Sequence, residues 1–134
     1  MNTFSVTDMG RVRTSNQDCV FCEENEIGSF PNLFIVADGM GGHRAGDTAS
    51  RMCVEMVAEK IRTTDKTTPV SVFEQAIDAA NRAIYEESGK HIELSGMGTT
   101  MVAVTIAGGM AVIVNVGDSR LYHMREDLRQ ITVD

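Results

Sequence analysis

Three aspartates stand where predicted strands begin or end. Asp38 follows the apolar run 33–37, Asp118 follows the run 110–116 through a glycine, and Asp18 opens the run 18–23 after a polar turn. Carboxylates that converge from separate strands bind hard cations such as Mg2+ or Mn2+ through oxygen. The pattern therefore predicts a divalent-cation site, although a single aspartate after a strand is also a common turn or helix-cap residue.

The residues after Asp38 are nearly all glycine. Gly39, Gly41 and Gly42 predict a loop in which the backbone can approach a metal ion or a phosphate. Glycine loses much conformational entropy on folding, so it is favoured where its backbone conformation or its lack of a side chain is needed. A predicted helix follows, and helix N-termini favour anions. Nucleotide motifs do not fit, because the dinucleotide pattern requires glycine at Arg44 and no Gly-Lys-Ser/Thr of a P-loop occurs.

Two basic side chains near these acids have two possible roles each. Arg13, in the polar turn 9–17, is a candidate phosphate ligand because a guanidinium offers two parallel donors; the alternative is solvated surface. His43 is a candidate proton donor near a metal-bound water, or only the residue that leads into the helix.

The rest of the chain supplies the elements that position these groups. Period-two and continuous apolar patterns predict strands at 3–8, 18–23, 33–37, 99–107, 110–116, 121–124 and 128–133. Apolar steps of three and four predict helices from Ala45 and from a capping box at 71–74, the second ending at Gly89. The pair Gly108-Gly109 predicts a tight hairpin. Strands, two helices and then more strands indicate an α+β domain with a largely antiparallel sheet.

Composition narrows the class of protein. The chain has 134 residues, is 43% hydrophobic and carries a net charge of -7, which argues against nucleic acid or an anionic membrane as partner. No apolar run approaches the ~20 residues of a membrane span, and the N-terminus lacks a signal-peptide layout, so we expect a cytoplasmic protein. The three cysteines, Cys19, Cys22 and Cys53, are an odd number in a chain without a recognisable export signal, so we expect them to be reduced thiols and not disulfides.

Four segments, in this order and spacing, resemble the metal-dependent protein phosphatases of type 2C (the PPM family) in their bacterial form. They are residues 7–18, the stretch Val36-Ala37-Asp38-Gly39-Met40-Gly41-Gly42-His43, the triplet Gly98-Thr99-Thr100, and residues 115–122. The resemblance implies a PPM-type β-sandwich of mostly antiparallel sheets flanked by a pair of α-helices. Because the family's domain is nearly twice as long, residues 1–134 are expected to be the N-terminal portion of one domain, incomplete at the C-terminus.

The resemblance also implies roles for five residues. Asp38 would bridge two Mn2+ or Mg2+ ions, with the Gly39 carbonyl on one of them. Arg13 would bind the substrate phosphate, Asp18 would orient a metal-bound water, and Asp118 would serve a weaker third metal site. A water activated by the metal ions would attack phosphorus.

Departures from the family pattern limit these assignments. Gln17 stands where many members have glutamate, although its amide can still accept a hydrogen bond from a metal-bound water. Met40 follows the Asp-Gly pair where many non-bacterial members have histidine, so the general acid stays unassigned and His43 does not inherit that role. Two further metal-ligand aspartates belong to the family's later half.

The implied function is hydrolysis of phosphoserine and phosphothreonine on proteins, in bacterial signalling opposite a cognate serine/threonine kinase and its substrates. The 134-residue chain alone is expected to bind metal poorly and to turn over slowly or not at all, and unpaired sheet edges favour dimerisation or swapping. Two alternatives stay open. One is a non-catalytic phosphoprotein-binding or assembly module, and the other is a hydrolase of small phosphate esters.

Overall fold

A computed structural model describes residues 1–42 and 44–134. Its main sheet is antiparallel, with strand order β1-β2-β4-β5, and the short β3 also pairs with β2. A separate hairpin joins β6 to β7. The strands are β1 Asp18–Glu23, β2 Leu33–Met40, β3 Gly98–Thr99, β4 Met101–Ala107, β5 Met110–Val116, β6 Tyr122–Met124 and β7 Leu128–Gln130. The predicted α+β class with a largely antiparallel sheet is confirmed.

Two helices, α1 Ala45–Thr63 and α2 Pro69–Lys90, pack on one face of this sheet. Alternation along β2 turns Leu33, Ile35 and Ala37 towards the helices, where each is at most 1% exposed. Phe73 of α2 is fully buried, and its ring meets that of Phe30 edge-on with centroids 4.9 Å apart. The hydrophobic core therefore lies between the helices and one face of the sheet.

The opposite face of the sheet is apolar but only loosely covered. Val36 and Ile106 are 42% and 41% exposed there. Residues 1–8 line a cavity of about 760 Å³ together with this face, yet Phe4 and Val6 remain 87% and 72% exposed. In β-sandwiches an apolar sheet face of this kind is covered by a second sheet.

The predicted strand at 3–8 is wrong. Residues 1–9 pair with no strand among the residues described above. The alternation of Phe4 and Val6 predicts which side chains would share a face, but a strand also needs a neighbouring edge for its backbone groups. By contrast, the predicted hairpin between β4 and β5 is confirmed, with Gly108 and Gly109 at φ +58° and +77°.

The predicted boundaries of the second helix are also wrong. Helix α2 begins at Pro69 after the N-cap residue Thr68, so the predicted cap Ser71 lies inside the helix and hydrogen-bonds the Thr68 carbonyl. Proline fits the first helical position because its missing N–H would have no partner there. The helix also continues through Gly89 to Lys90.

No helix among residues 1–42 and 44–134 is long and apolar enough to cross a membrane.

Candidate active site

Asp18 and Asp38 are direct cross-strand partners. Strand β2 runs on past Ala37, so Asp38 lies within the strand and not, as predicted, after its end. Its Cα partner on β1 is Asp18, and both side chains lie on the sheet face opposite the helices. The antiparallel register therefore brings the two acids together, as the predicted metal site requires.

This pair of acids is electrostatically unfavourable by itself. Burial raises the pKa of Asp18, the nearby Asp38 carboxylate raises it further, and Arg13 opposes both effects. Arg13, Asp18 and Asp38 line one polar cavity of about 240 Å³. Two carboxylates and a guanidinium in one cavity suit a cation together with a phosphate group.

The glycine at position 39 is required by helix packing. A Cβ at Gly39 would lie 1.8 Å from the Gly46 carbonyl oxygen and 2.9 Å from that of Gln17. Helix α1 therefore presses its first turn against β2 at this point. Gly39 was predicted to lie in a loop open to a ligand, but it is buried and paired with Thr99. The approach that glycine permits here is that of the helix backbone.

Gln17 joins the turn before β1 to this packing. Its backbone carbonyl accepts from the Gly39 N–H at 2.9 Å, and its side-chain Nε2 donates to the Gly41 carbonyl at 3.0 Å. The same side chain packs against Gly46, where an added Cβ would lie 2.6 Å from Gln17 Cδ. Gln17 thus holds the glycine segment to α1.

Asp118 lies apart from the polar cavity. It is exposed after β5 and does not line the cavity that contains Asp18 and Asp38. Its neighbour Ser119 connects it to the site, because Ser119 Oγ lies 2.5 Å from Thr100 Oγ1. The structure therefore brings two of the three predicted aspartates together and leaves the third at the margin.

Asp8 is a cavity residue that was not among the predicted site residues. It lines the polar cavity, and its Oδ1 accepts from the Gly10 N–H at 2.6 Å. Asp8 ends the predicted strand 3–8 and belongs to the resembling segment 7–18, but an Asp followed two residues later by Gly in a turn is by itself too common to indicate a site. His43, the candidate proton donor, lies outside the described residues.

The donor set fits part of a metal coordination shell. Within residues 1–42 and 44–134 no three His, Cys, Asp or Glu side chains are grouped to hold an ion. One or two carboxylates are nevertheless sufficient for Mg2+ when waters complete its shell. A cation held by Asp38, with Asp18 beside it on one of those waters, would relieve the mutual repulsion of the two carboxylates. The site therefore fits a hard divalent cation.

An antiparallel sheet backed by two helices, with two facing aspartates and an arginine in one polar cavity, defines a candidate site for a divalent cation and a phosphate group. The family model described as protein phosphatase 2C matches residues 10–133, and this chain belongs to that family. The serine/threonine phosphatase stp of Listeria innocua is 41% identical over 133 residues, which cover 96% of this chain and 52% of that protein.

Solved structures give the same result. The catalytic domain of the serine/threonine phosphatase PstP in complex with two manganese ions has a TM-score of 0.78, 36% identity, and coverage of 93% of this chain and 52% of that one. Serine/threonine phosphatase Stp1 from Staphylococcus aureus has a TM-score of 0.83 and 30% identity, with coverage of 96% and 52%. The predicted fold is confirmed, and the chain spans about half the length of the relatives it matches.

Proposed function

We propose that this protein hydrolyses phosphoserine and phosphothreonine on other proteins. The observation that carries the proposal is the register that places Asp18 opposite Asp38 in one cavity with Arg13. Membership of the protein phosphatase 2C family and similarity to proteins named serine/threonine phosphatases support it. A cytoplasmic location remains a prediction from the sequence.

In this proposal some site residues bind the metal ions and another binds the substrate phosphate. Asp38 and the Gly39 carbonyl would hold Mn2+ or Mg2+, and Asp118 would hold a weaker third ion; a relative's structure with two manganese ions supports this choice of metal. Bound cations supply a deprotonated water and offset phosphoryl charge. Asp18, already close to Asp38, would accept a hydrogen bond from that water and orient it. Arg13 would hold the phosphate through two parallel N–H donors.

We further propose that residues 1–134 form the N-terminal portion of one phosphatase domain and have little activity alone. The half-length match to the relatives supports this, as does the thinly covered apolar face of the sheet. That face and the unpaired segment 3–8 would also favour dimerisation or swapping. Sedimentation that shows a monomer at every concentration would contradict the dimerisation.

A serine/threonine kinase that phosphorylates the same substrates is the proposed opposing partner.

Manganese-dependent hydrolysis of a phenyl phosphate ester tests the activity. The comparison is between the 134-residue chain and the extended protein, meaning this chain completed to the length of its relatives. We expect turnover in the extended protein and little in the chain alone. Equal rates would show that the remaining half is dispensable, and no rate in either would contradict the proposed activity.

Two arginines in one turn give a matched test of phosphate binding. Arg13 lines the cavity with the two aspartates, whereas Arg11 does not, although both are exposed. Arg13→Ala in the extended protein should raise KM for the phosphate ester, while Arg11→Ala should leave it unchanged. Similar effects of both changes would mean that a general positive charge, and not a specific ligand, is responsible.

Asp38→Asn separates catalysis from simple binding. It removes one negative charge at nearly constant size, so hydrolysis by the extended protein should be lost. If the extended protein has no hydrolytic activity, yet Asp38→Asn still binds a phosphoserine peptide as wild type does, the protein is instead a phosphoprotein-binding module.

A further inference from the structure

Thr100 interrupts the pairing of β2 with its neighbours at the position opposite Asp38. The register runs from Val36 opposite Val102 to Gly39 opposite Thr99, which places Thr100 directly across from Asp38. Regular antiparallel pairing would join these two residues by two backbone hydrogen bonds. Only one of them forms, from the Thr100 N–H to the Asp38 carbonyl at 2.9 Å.

A side chain replaces the second backbone hydrogen bond. The Asp38 N–H donates to Thr100 Oγ1 at 3.1 Å, and the Thr100 carbonyl instead accepts from Thr99 Oγ1 at 2.8 Å. The Asp38 backbone is therefore held by a hydroxyl that belongs to a residue only 5% exposed. A buried threonine has few available χ1 rotamers, so the position of this hydroxyl is restricted.

Thr100 also contacts both neighbours of Asp118. Its Oγ1 lies 2.5 Å from Ser119 Oγ, and its Cγ2 occupies the space where a Cβ on Gly117 would lie, 2.7 Å away. Gly117 has φ +98°, so the turn that presents Asp118 needs glycine for its backbone as well as for this contact. One side chain thus links the Asp38 strand to the Asp118 turn.

We propose that Thr100 is a positioning residue that holds the Asp38 carboxylate for divalent-cation binding and ties the Gly117–Ser119 turn to it. The proposal rests on the proposed function, because it concerns the metal site of that function. The hydroxyl orients the Asp38 backbone, and the methyl group supports Gly117. Second-layer groups of this kind typically change metal affinity by about 10–100-fold when they are removed.

The test is Mn2+ affinity of the extended protein, measured by calorimetry and by the Mn2+ electron paramagnetic resonance signal. Thr100→Val keeps the shape and removes the hydroxyl, and we expect it to weaken Mn2+ binding about 10–100-fold. Thr100→Ser keeps the hydroxyl and should bind close to wild type. Thr105→Val is the matched control, because Thr105 of β4 is also buried and its hydroxyl donates a hydrogen bond of 2.7 Å to the Asn32 carbonyl. Neither Thr105 nor Asn32 lines the polar cavity of the candidate site.

The outcomes separate a positioning role from a structural one. The proposal is overturned if Thr100→Val and Thr105→Val have the same Mn2+ affinity, or if Thr100→Ser binds as weakly as Thr100→Val. In rate measurements, Thr100→Val should raise the Mn2+ concentration for half-maximal activity and leave KM for the ester unchanged at saturating Mn2+. A wild-type protein that binds no Mn2+ overturns the proposed function as well, and that result is visible before any variant is made.

Ser119→Ala tests the link to the Asp118 turn independently. It leaves the hydrogen bond between Asp38 and Thr100 in place, so its loss of Mn2+ affinity should be smaller than that of Thr100→Val. The double variant should bind no more weakly than Thr100→Val alone, because the hydroxyl that Ser119 contacts is already absent. Wild-type affinity in Ser119→Ala, or additive losses in the double variant, would overturn the link.

Discussion

Gly39→Ala should be among the most damaging single-methyl changes in this protein. The added Cβ would lie 1.8 Å from the Gly46 carbonyl oxygen, about half of a normal contact between carbon and oxygen. The Gln17 carbonyl oxygen is a second backbone atom in close contact, at 2.9 Å. Both are backbone atoms, so no side-chain rotation relieves the overlap, and α1 must move away from β2.

The magnitude follows from the geometry. Inserting a methyl group into a well-packed interior typically costs about 1–3 kcal/mol, and a clash with two backbone carbonyl oxygens belongs at or above about 3 kcal/mol. That is a large part of the 5–15 kcal/mol by which a typical domain is stable. For a chain of this size the midpoint of thermal unfolding should fall by roughly 10 °C.

Two other glycines supply graded controls in the same segment. At Gly46 an added Cβ meets only the end of the Gln17 side chain, which can shift, so Gly46→Ala should cost less than Gly39→Ala. At Gly42 nothing lies within 4 Å, so Gly42→Ala should leave stability unchanged or raise it by up to about 1 kcal/mol. Urea unfolding of the three variants measures the order. Equal stability of Gly39→Ala and Gly42→Ala would refute the packing argument.

Three further predictions concern charge, core and metal. Burial and Asp38 raise the folded-state pKa of Asp18, so its ionisation destabilises the fold as pH rises through that pKa. Asp18→Asn should therefore raise the midpoint of thermal unfolding of the metal-free protein at neutral pH. This increase should vanish below the ordinary aspartate pKa of about 3.9, where Asp18 is protonated in both the folded and the unfolded state. An increase that persists in acid would contradict the prediction. Phe73→Ala removes a fully buried ring that contacts Phe30 and should cost about 3–5 kcal/mol in urea unfolding, whereas Tyr85→Ala on the same helix, 79% exposed, should stay within about 0.5 kcal/mol. Mn2+ at a hundred times its Kd should add about 2.7 kcal/mol to the unfolding free energy of the extended protein, and the proposed metal role of Asp38 fails if Asp38→Asn shows the same gain.

The local pattern was enough to predict most of the elements. Apolar patterning predicted strands at the positions of β1 and β4, and Gly108-Gly109 predicted the hairpin because few other residues accept positive φ at both positions. The strand at 3–8 failed for the opposite reason. Its pattern is local, but pairing depends on a neighbouring edge, which no local pattern supplies.

The order and spacing of residues along the chain were sufficient to predict the residue types at the candidate site and the family. Which of those residues contact one another depends on how the strands and helices pack. Asp18 and Asp38 are partners because of the register of β1 on β2, and a slip of one residue would turn one acid to the other face. The roles of Gly39 and Thr100 depend on α1 and on the Asp118 turn, which approach them from distant parts of the chain. Such contacts arise from packing, so no spacing within a single motif reveals them.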